Sequence, residues 1–133
     1  RVIAKFLLNA RTGRPLTVNG VEEKLDFSFV DDTASGICRV VNLGLPNETY
    51  NITRGQARTI YDAACCVIDM VGDGEVIVQE KDGKFPSRDA LCIDKAREQL
   101  DYNPTTNLEE GLQIYYDWFT EFYDHVHWFT ASV

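Results

Sequence analysis

The sequence predicts a mixed α/β domain with short strands and about five helices. Three observations carry that expectation. Apolar residues recur at helical spacing in long stretches, notably Ile60, Ala64, Val67, Ile68 and Val71, and again Leu108, Leu112, Tyr115, Trp118, Phe119 and Phe122. Short runs such as 75–80, rich in β-branched residues, lie between them and read as strands. Glycine, proline and Asn-Gly pairs separate the two kinds of segment.

In chain order, residues 1–11 read as a helix that stops at Thr12-Gly13, with the glycine near the position after the helix end. Residues 15–18 form a short strand, and Asn19-Gly20 turns it. Glu22-Glu23 prolongs the polar gap, so a longer loop fits as well as a tight hairpin into the next strand, 24–30. Asp32 then stands where its carboxylate can cap a helix carrying Ala34, Ile37, Val40 and Val41 to about Asn42. Residues 48–52 suit a strand, and a helix follows from about Gln56 to Val71, closed by Gly72-Asp73-Gly74. After strand 75–80 and a turn over 81–84, Pro86 opens a loop. The next helix places Ala90, Leu91, Ile93, Ala96 and Leu100 on one face, with Tyr102 packing back before Pro104 bars further helix. The last helix spans about 107–125, with Thr106 and Glu109 as a T-x-x-E capping box.

The chain has 133 residues, which suits one domain, and 26% of them are charged, as in soluble globular proteins. The net charge of −8 would repel a phosphate polyanion, so nucleic acid is not an expected partner. No apolar run approaches a membrane span and no leader is visible, so a cytoplasmic chain without a membrane partner is expected. Met70 is the only methionine, and the apolar helix at the start has no cap before it, which reads as a beginning cut from something longer. Cys38, Cys65, Cys66 and Cys92 form no C-x-x-C and read as buried small hydrophobes in a reducing compartment. His125 and His127 lack the spacing of metal ligands, so no metal site is expected. Arg88 lies in a loop between Pro86 and the helix, where its planar fork suits a phosphate or carboxylate.

The pattern P-x-R-x-x-L-x-x-x-K-A-x-x-x-L-x-Y-x-P, carried by Pro86, Arg88, Leu91, Lys95, Ala96, Leu100, Tyr102 and Pro104, resembles the closing segment of the extended short-chain dehydrogenase/reductase family. These are the NAD-dependent nucleotide-sugar epimerases and dehydratases. Asp101 departs from the pattern, since the family usually has Gly there. The run from Leu25 through Asp32 to Ala34 is similar to the family's R-D-F-x-x-V-x-D-x-A segment, and Tyr50-Asn51-Ile52 to its Y-N-I segment. Phe6, Gly13, Pro15, Leu16 and Gly20 near the start, and Leu108, Gly111, Leu112 and Trp118 near the end, extend the resemblance to nearly the whole chain.

The resemblance implies a single substrate-binding lobe over 1–133, the C-terminal lobe of a two-lobe enzyme. The family's first lobe is a Rossmann domain whose Gly-rich turn holds the NAD pyrophosphate. Neither G-x-x-G-x-x-G nor G-x-G-x-x-G occurs here, and no tyrosine is followed by lysine four residues later. The implication is that this chain carries no catalytic and no cofactor-binding residue, and that NAD(P) belongs to the missing lobe. Arg88 would hold the diphosphate of a nucleotide sugar, and Val18 and Asn19 would lie by the nucleobase. Leu25 falls where many members carry a second phosphate-binding arginine; Lys24 is adjacent, but neighbouring strand residues face opposite ways. Other readings are a standalone module binding a nucleotide or a protein, and a relative with a non-nucleotide substrate. A severed lobe is expected to expose an apolar docking face and to self-associate through it.

Overall fold

The computed structural model describes residues 2–81, 83 and 86–122. The elements are α1 (Val2–Arg11), β1 (Leu16–Asn19), β2 (Lys24–Asp26), α2 (Val30–Leu43), β3 (Ala57–Thr59), α3 (Ile60–Val71), β4 (Val76–Gln79), α4 (Asp94–Leu100) and α5 (Leu108–Phe122). Their order is the one the sequence predicts, and the mixed α/β class holds.

The strands pair in two separate two-stranded sheets. β1 and β4 run parallel, with Leu16 opposite Val76 and Asn19 opposite Gln79. β2 and β3 run antiparallel, with Lys24 opposite Thr59 and Asp26 opposite Ala57. The Asn19-Gly20 turn is therefore no hairpin: it hands the chain from one sheet to the other. β1 alternates as a half-buried strand must, with Leu16 and Val18 inward and Thr17 and Asn19 outward.

The apolar stripes meet in two clusters. Phe6, Leu7 and Leu8 of α1, Leu16 and Val18 of β1, Ala64 and Val67 of α3, and Leu112 and Phe119 of α5 form the larger. Ile93, Ala96, Leu100 and Tyr102 form the smaller, packed by Val40, Tyr50 and Ile52. Tyr102 is fully inside, and its hydroxyl donates to the Thr53 carbonyl at 3.0 Å, so burial leaves its polar tip satisfied. Burial also pushes its hydroxyl pKa up.

Several local expectations give way to tertiary contacts. Asp32 does not cap α2, which begins at Val30 after Phe29 with no side-chain cap; the carboxylate reaches across to the chain ahead of α5. The capping box sits one residue later than Thr106 and Glu109. Asn107 Oδ1 accepts the Glu110 N–H at 2.8 Å, and Glu110 Oε2 accepts the Asn107 N–H at 3.2 Å. This frees Glu109 to pair with Arg58 at 2.9 Å. Residues 48–52 form no strand; β3 comes later, where β2 offers a pairing edge. β2 itself ends at Asp26 rather than Val30, and α4 starts at Asp94, leaving Ala90 and Leu91 in an exposed loop. α3 starts at Ile60, with Thr59 Oγ1 accepting the Asp62 N–H, and closes at Gly72 as expected.

The cysteines are less buried than their sequence context suggests. Cys38 and Cys92 are exposed, and Cys65 and Cys66 are half-buried. His125 and His127 lie outside the described residues, and no cluster of metal-binding side chains occurs among those described. No helix among them is long and apolar enough to cross a membrane.

Candidate functional site: a basic cavity between the two sheets

The end of β1 and the start of β2 border a cavity of about 380 Å³. Thr17 and Asn19 supply one wall, Lys24 and Leu25 another, and Arg88 reaches it from the loop before α4. Three of the four residues singled out from the sequence thus share one concavity: Asn19, Leu25 and Arg88. Val18 does not join them. Strand alternation turns it into the larger core, fully buried, and Thr17 takes the outward place beside Asn19.

Lys24 also borders the cavity, beside Leu25 rather than opposite to it. β2 is only three residues long, all half-buried, and Lys24 is its first residue. A strand end next to a turn is held by one ladder alone, so its side chain is free to lean toward the open side.

The loop carrying Arg88 has no helix or strand of its own, and two carboxylates hold it. Glu23 Oε1 accepts from Lys81 Nζ at 3.0 Å and from Ser87 Oγ at 2.9 Å, while Lys81 Nζ donates to Ser87 Oγ at 2.6 Å. The Lys81 ammonium and then the Ser87 hydroxyl hold the Glu23 carboxyl below the usual carboxylate range. On the far side of Arg88, Asp26 Oδ2 accepts the Leu91 N–H at 3.2 Å and the Gly55 N–H at 3.1 Å. Gly20 makes the first tie sterically feasible. It has φ +82°, and a Cβ there would lie 2.8 Å from Glu23 Cγ and 3.3 Å from Lys81 Cβ.

The cavity's charge runs against that of the chain. Lys24, Lys81 and Arg88 face one carboxylate, Glu23, among its described lining residues, in a chain of net charge −8. Lys81 is engaged by Glu23 and Ser87, whereas Lys24 and Arg88 make no ion pair with a described residue. Such a site can bind an anion; among its described lining residues no nucleophile is paired with a base. The Glu23–Lys81–Ser87 triangle was not foreseen, because its members are far apart in sequence and each is ordinary alone.

A second cavity of about 310 Å³ is apolar, bordered by Ile3, Phe27, Phe29, Val30, Leu108 and Tyr115. From it the outer side of α2 continues with Val30, Ile37 and Val41, which are 68%, 56% and 79% exposed.

No family model matches the chain. Among curated proteins it is 28% identical over 124 residues to a trifunctional UDP-glucose 4,6-dehydratase/UDP-4-keto-6-deoxy-D-glucose 3,5-epimerase/UDP-4-keto-L-rhamnose-reductase of Arabidopsis thaliana. That match covers 91% of this chain and 19% of the relative. Among solved structures, the Bordetella bronchiseptica enzyme WbmF in complex with NADH superposes with a TM-score of 0.83 at 28% identity, over 94% of this chain and 38% of that one. WbmF has also been solved in complex with NAD+ and UDP. The UDP-glucose 4-epimerase of Thermotoga maritima, solved with UDP-glucose, gives a TM-score of 0.83 at 26% identity, over 91% of this chain and 40% of that one. The chain thus spans between about a fifth and two fifths of the length of these relatives. By sequence and by fold it is similar to the extended short-chain dehydrogenase/reductase nucleotide-sugar epimerases and dehydratases, and it matches the C-terminal portion of their length.

Proposed function

We propose that this chain is the nucleotide-sugar-binding lobe of an NAD-dependent epimerase or dehydratase, and that a Rossmann lobe supplies the cofactor and the chemistry. One observation carries the reading: Asn19 and Arg88, with Lys24, converge on a basic cavity in an acidic chain. A guanidinium on a tethered loop suits the diphosphate of a nucleotide sugar, and the outward end of β1 suits its nucleobase.

The described residues do not fit NAD. A dinucleotide needs a glycine-rich turn leading from a strand into a helix, so that its pyrophosphate meets the helix N-terminus. Here Gly72 and Gly74 follow a helix and precede a strand. NAD is accordingly assigned to the other lobe, and the exposed apolar side of α2 is the face assigned to meet it. Without that lobe, the same face would drive self-association.

A non-nucleotide substrate is the second reading, favoured by Leu25, which puts an alkyl chain on the cavity wall. Calorimetry on the chain with UDP, UDP-glucose and NAD separates the readings. Saturable binding of UDP and UDP-glucose, with none of NAD, is expected. Absence of UDP binding would overturn the nucleotide reading, and saturable NAD binding would overturn the division of labour.

A further inference from the structure

We propose that the outer edge of β4 pairs antiparallel with the same edge of a second copy of this chain, joining two two-stranded sheets into one in the order β1-β4-β4-β1. The backbone shows which groups are available. The Glu75 and Gln79 carbonyls accept the Leu16 and Gly20 N–H groups at the two ends of β1, each at 2.8 Å. Backbone groups alternate sides along a strand, so Ile77 also turns its own toward β1, and Val76 and Val78 point theirs away. No described strand pairs with that outer row. A free row of donors and acceptors is a template for another strand, and β4, with the sequence Val76-Ile77-Val78-Gln79, has no charge and no proline to blunt it.

The side chains agree with the backbone. Val76 and Val78 stand beside Leu16 and Val18, on the sheet face that α1 and α3 cover. Leu16 and Val18 are fully buried there, Val76 is half-buried and Val78 is 47% exposed, so the cover runs out at the edge. Ile77, on the opposite face, is 38% exposed. In an antiparallel pair centred on Ile77, Val76 of each copy meets Val78 of the other and the two exchange both backbone bonds. The two Ile77 side chains then face each other at the closer, non-hydrogen-bonded position. Charge selects this register. Glu75 falls opposite Gln79 and Glu80 opposite Gly74, so no carboxylate faces another or an apolar side chain. Centring the pair on Val76 sets Glu75 against Ile77, and centring it on Val78 sets Glu80 against Val76. The contact is self-complementary, as a two-fold dimer requires. So short an edge lies well below the area of a standard interface, and the dimer is accordingly weak. β4 borders neither cavity, so the pairing is independent of the ligand site.

The test is sedimentation velocity over a wide range of concentration at low and moderate salt. It uses the unaltered chain and Val41→Glu, which charges the exposed side of α2 and removes association through that face. Val41→Glu should still show a monomer–dimer equilibrium, tighter at moderate salt because two acidic copies repel. Adding Ile77→Lys should weaken that dimer roughly tenfold, and adding Ile77→Glu should do the same, since each sets like charges face to face. An equimolar mixture of the two should associate again, because opposite charges then meet across the two-fold axis. Val78→Pro removes an outward N–H and no bond to β1, and should also weaken the dimer. Val78→Lys takes its place if the proline variant melts early. If Val41→Glu is monomeric at every concentration, or its dimer survives Ile77→Lys in a folded chain, the proposal is overturned. Failure of the mixture to associate overturns the pairing centred on Ile77.

Discussion

Asp32, on the first turn of α2, accepts the backbone N–H of Thr106 at 2.9 Å and that of Thr105 at 3.2 Å. One carboxylate thereby joins two helices that are far apart in sequence. Removing it leaves two N–H groups without a partner in a partly closed site. Asp32→Ala should cost about 1–3 kcal/mol of stability. Asp32→Asn should recover part of it, since an amide oxygen still accepts. Urea unfolding of the two variants checks this, and equal midpoints with the unaltered chain would refute the tie.

The Glu23 tie predicts a pH effect. Its pKa is lowered in the folded chain, chiefly by Lys81 and next by Ser87, from an ordinary value of 4.5. Its contribution is therefore present above that ordinary value and is lost as the pH falls through the lowered one. After correction for the intrinsic slowing of exchange in acid, amide hydrogen exchange of residues 87–91 should quicken in the unaltered chain as the pH falls through that lowered value. In Glu23→Gln it should be quicker at neutral pH already and respond less to acid. Identical exchange in the two proteins across this range would show that the triangle does not hold the loop.

Asp101 ends α4 in the left-handed region, at φ 50° and ψ 34°. That conformation suits glycine and strains most other residues. The Asp101 carboxylate pairs with Arg39 at 3.1 Å, but it is largely exposed, and such pairs contribute little. Arg39 keeps its bond to the Leu100 carbonyl at 3.0 Å in any case. Asp101→Gly should thus stabilise the chain by about 0.5–1 kcal/mol. A lowered melting temperature would mean the ion pair outweighs the backbone strain.

Gly36 lets α2 approach the smaller core cluster. A Cβ there would lie 2.3 Å from Ile52 Cγ2 and 2.9 Å from Tyr102 Cε2. Gly36→Ala, which should favour an isolated helix, is expected to destabilise this one by about 1–3 kcal/mol through overpacking. Pairing it with Ile52→Val should recover part of the loss. Two independent, additive effects would place the clash elsewhere.

How much of this was legible beforehand depends on what fixes each feature. The helices and their order follow from apolar spacing, a property of the local sequence. The capping box slipped by one because T-x-x-E and N-x-x-E overlap at residues 106–110, and only the contact of Glu109 with Arg58 decides between them. Strand 48–52 failed for a different reason. Its residues suit extended backbone, but no edge lies beside them, whereas the unremarkable 57–59 finds β2. Alternation along β1 predicted two faces, and only the packing of α1 and α3 shows that Val18 takes the inner one. Arg88 stood out through its loop and the resemblance. Lys24 was left open by a strand rule that weakens at the end of a three-residue strand.

The segment Glu23–Lys24–Leu25–Asp26 divides its labour by position. Its outer members tether the loop that presents Arg88, and its inner members face whatever enters the cavity. Changes at 24 and 25 can therefore retune which charge and which bulk the cavity accepts without loosening the frame. A single inserted or deleted residue within it would exchange tether for wall and unseat Arg88 in one step. If the cavity is the ligand site proposed above, its recognition is free to drift by substitution, but not by a shift in length.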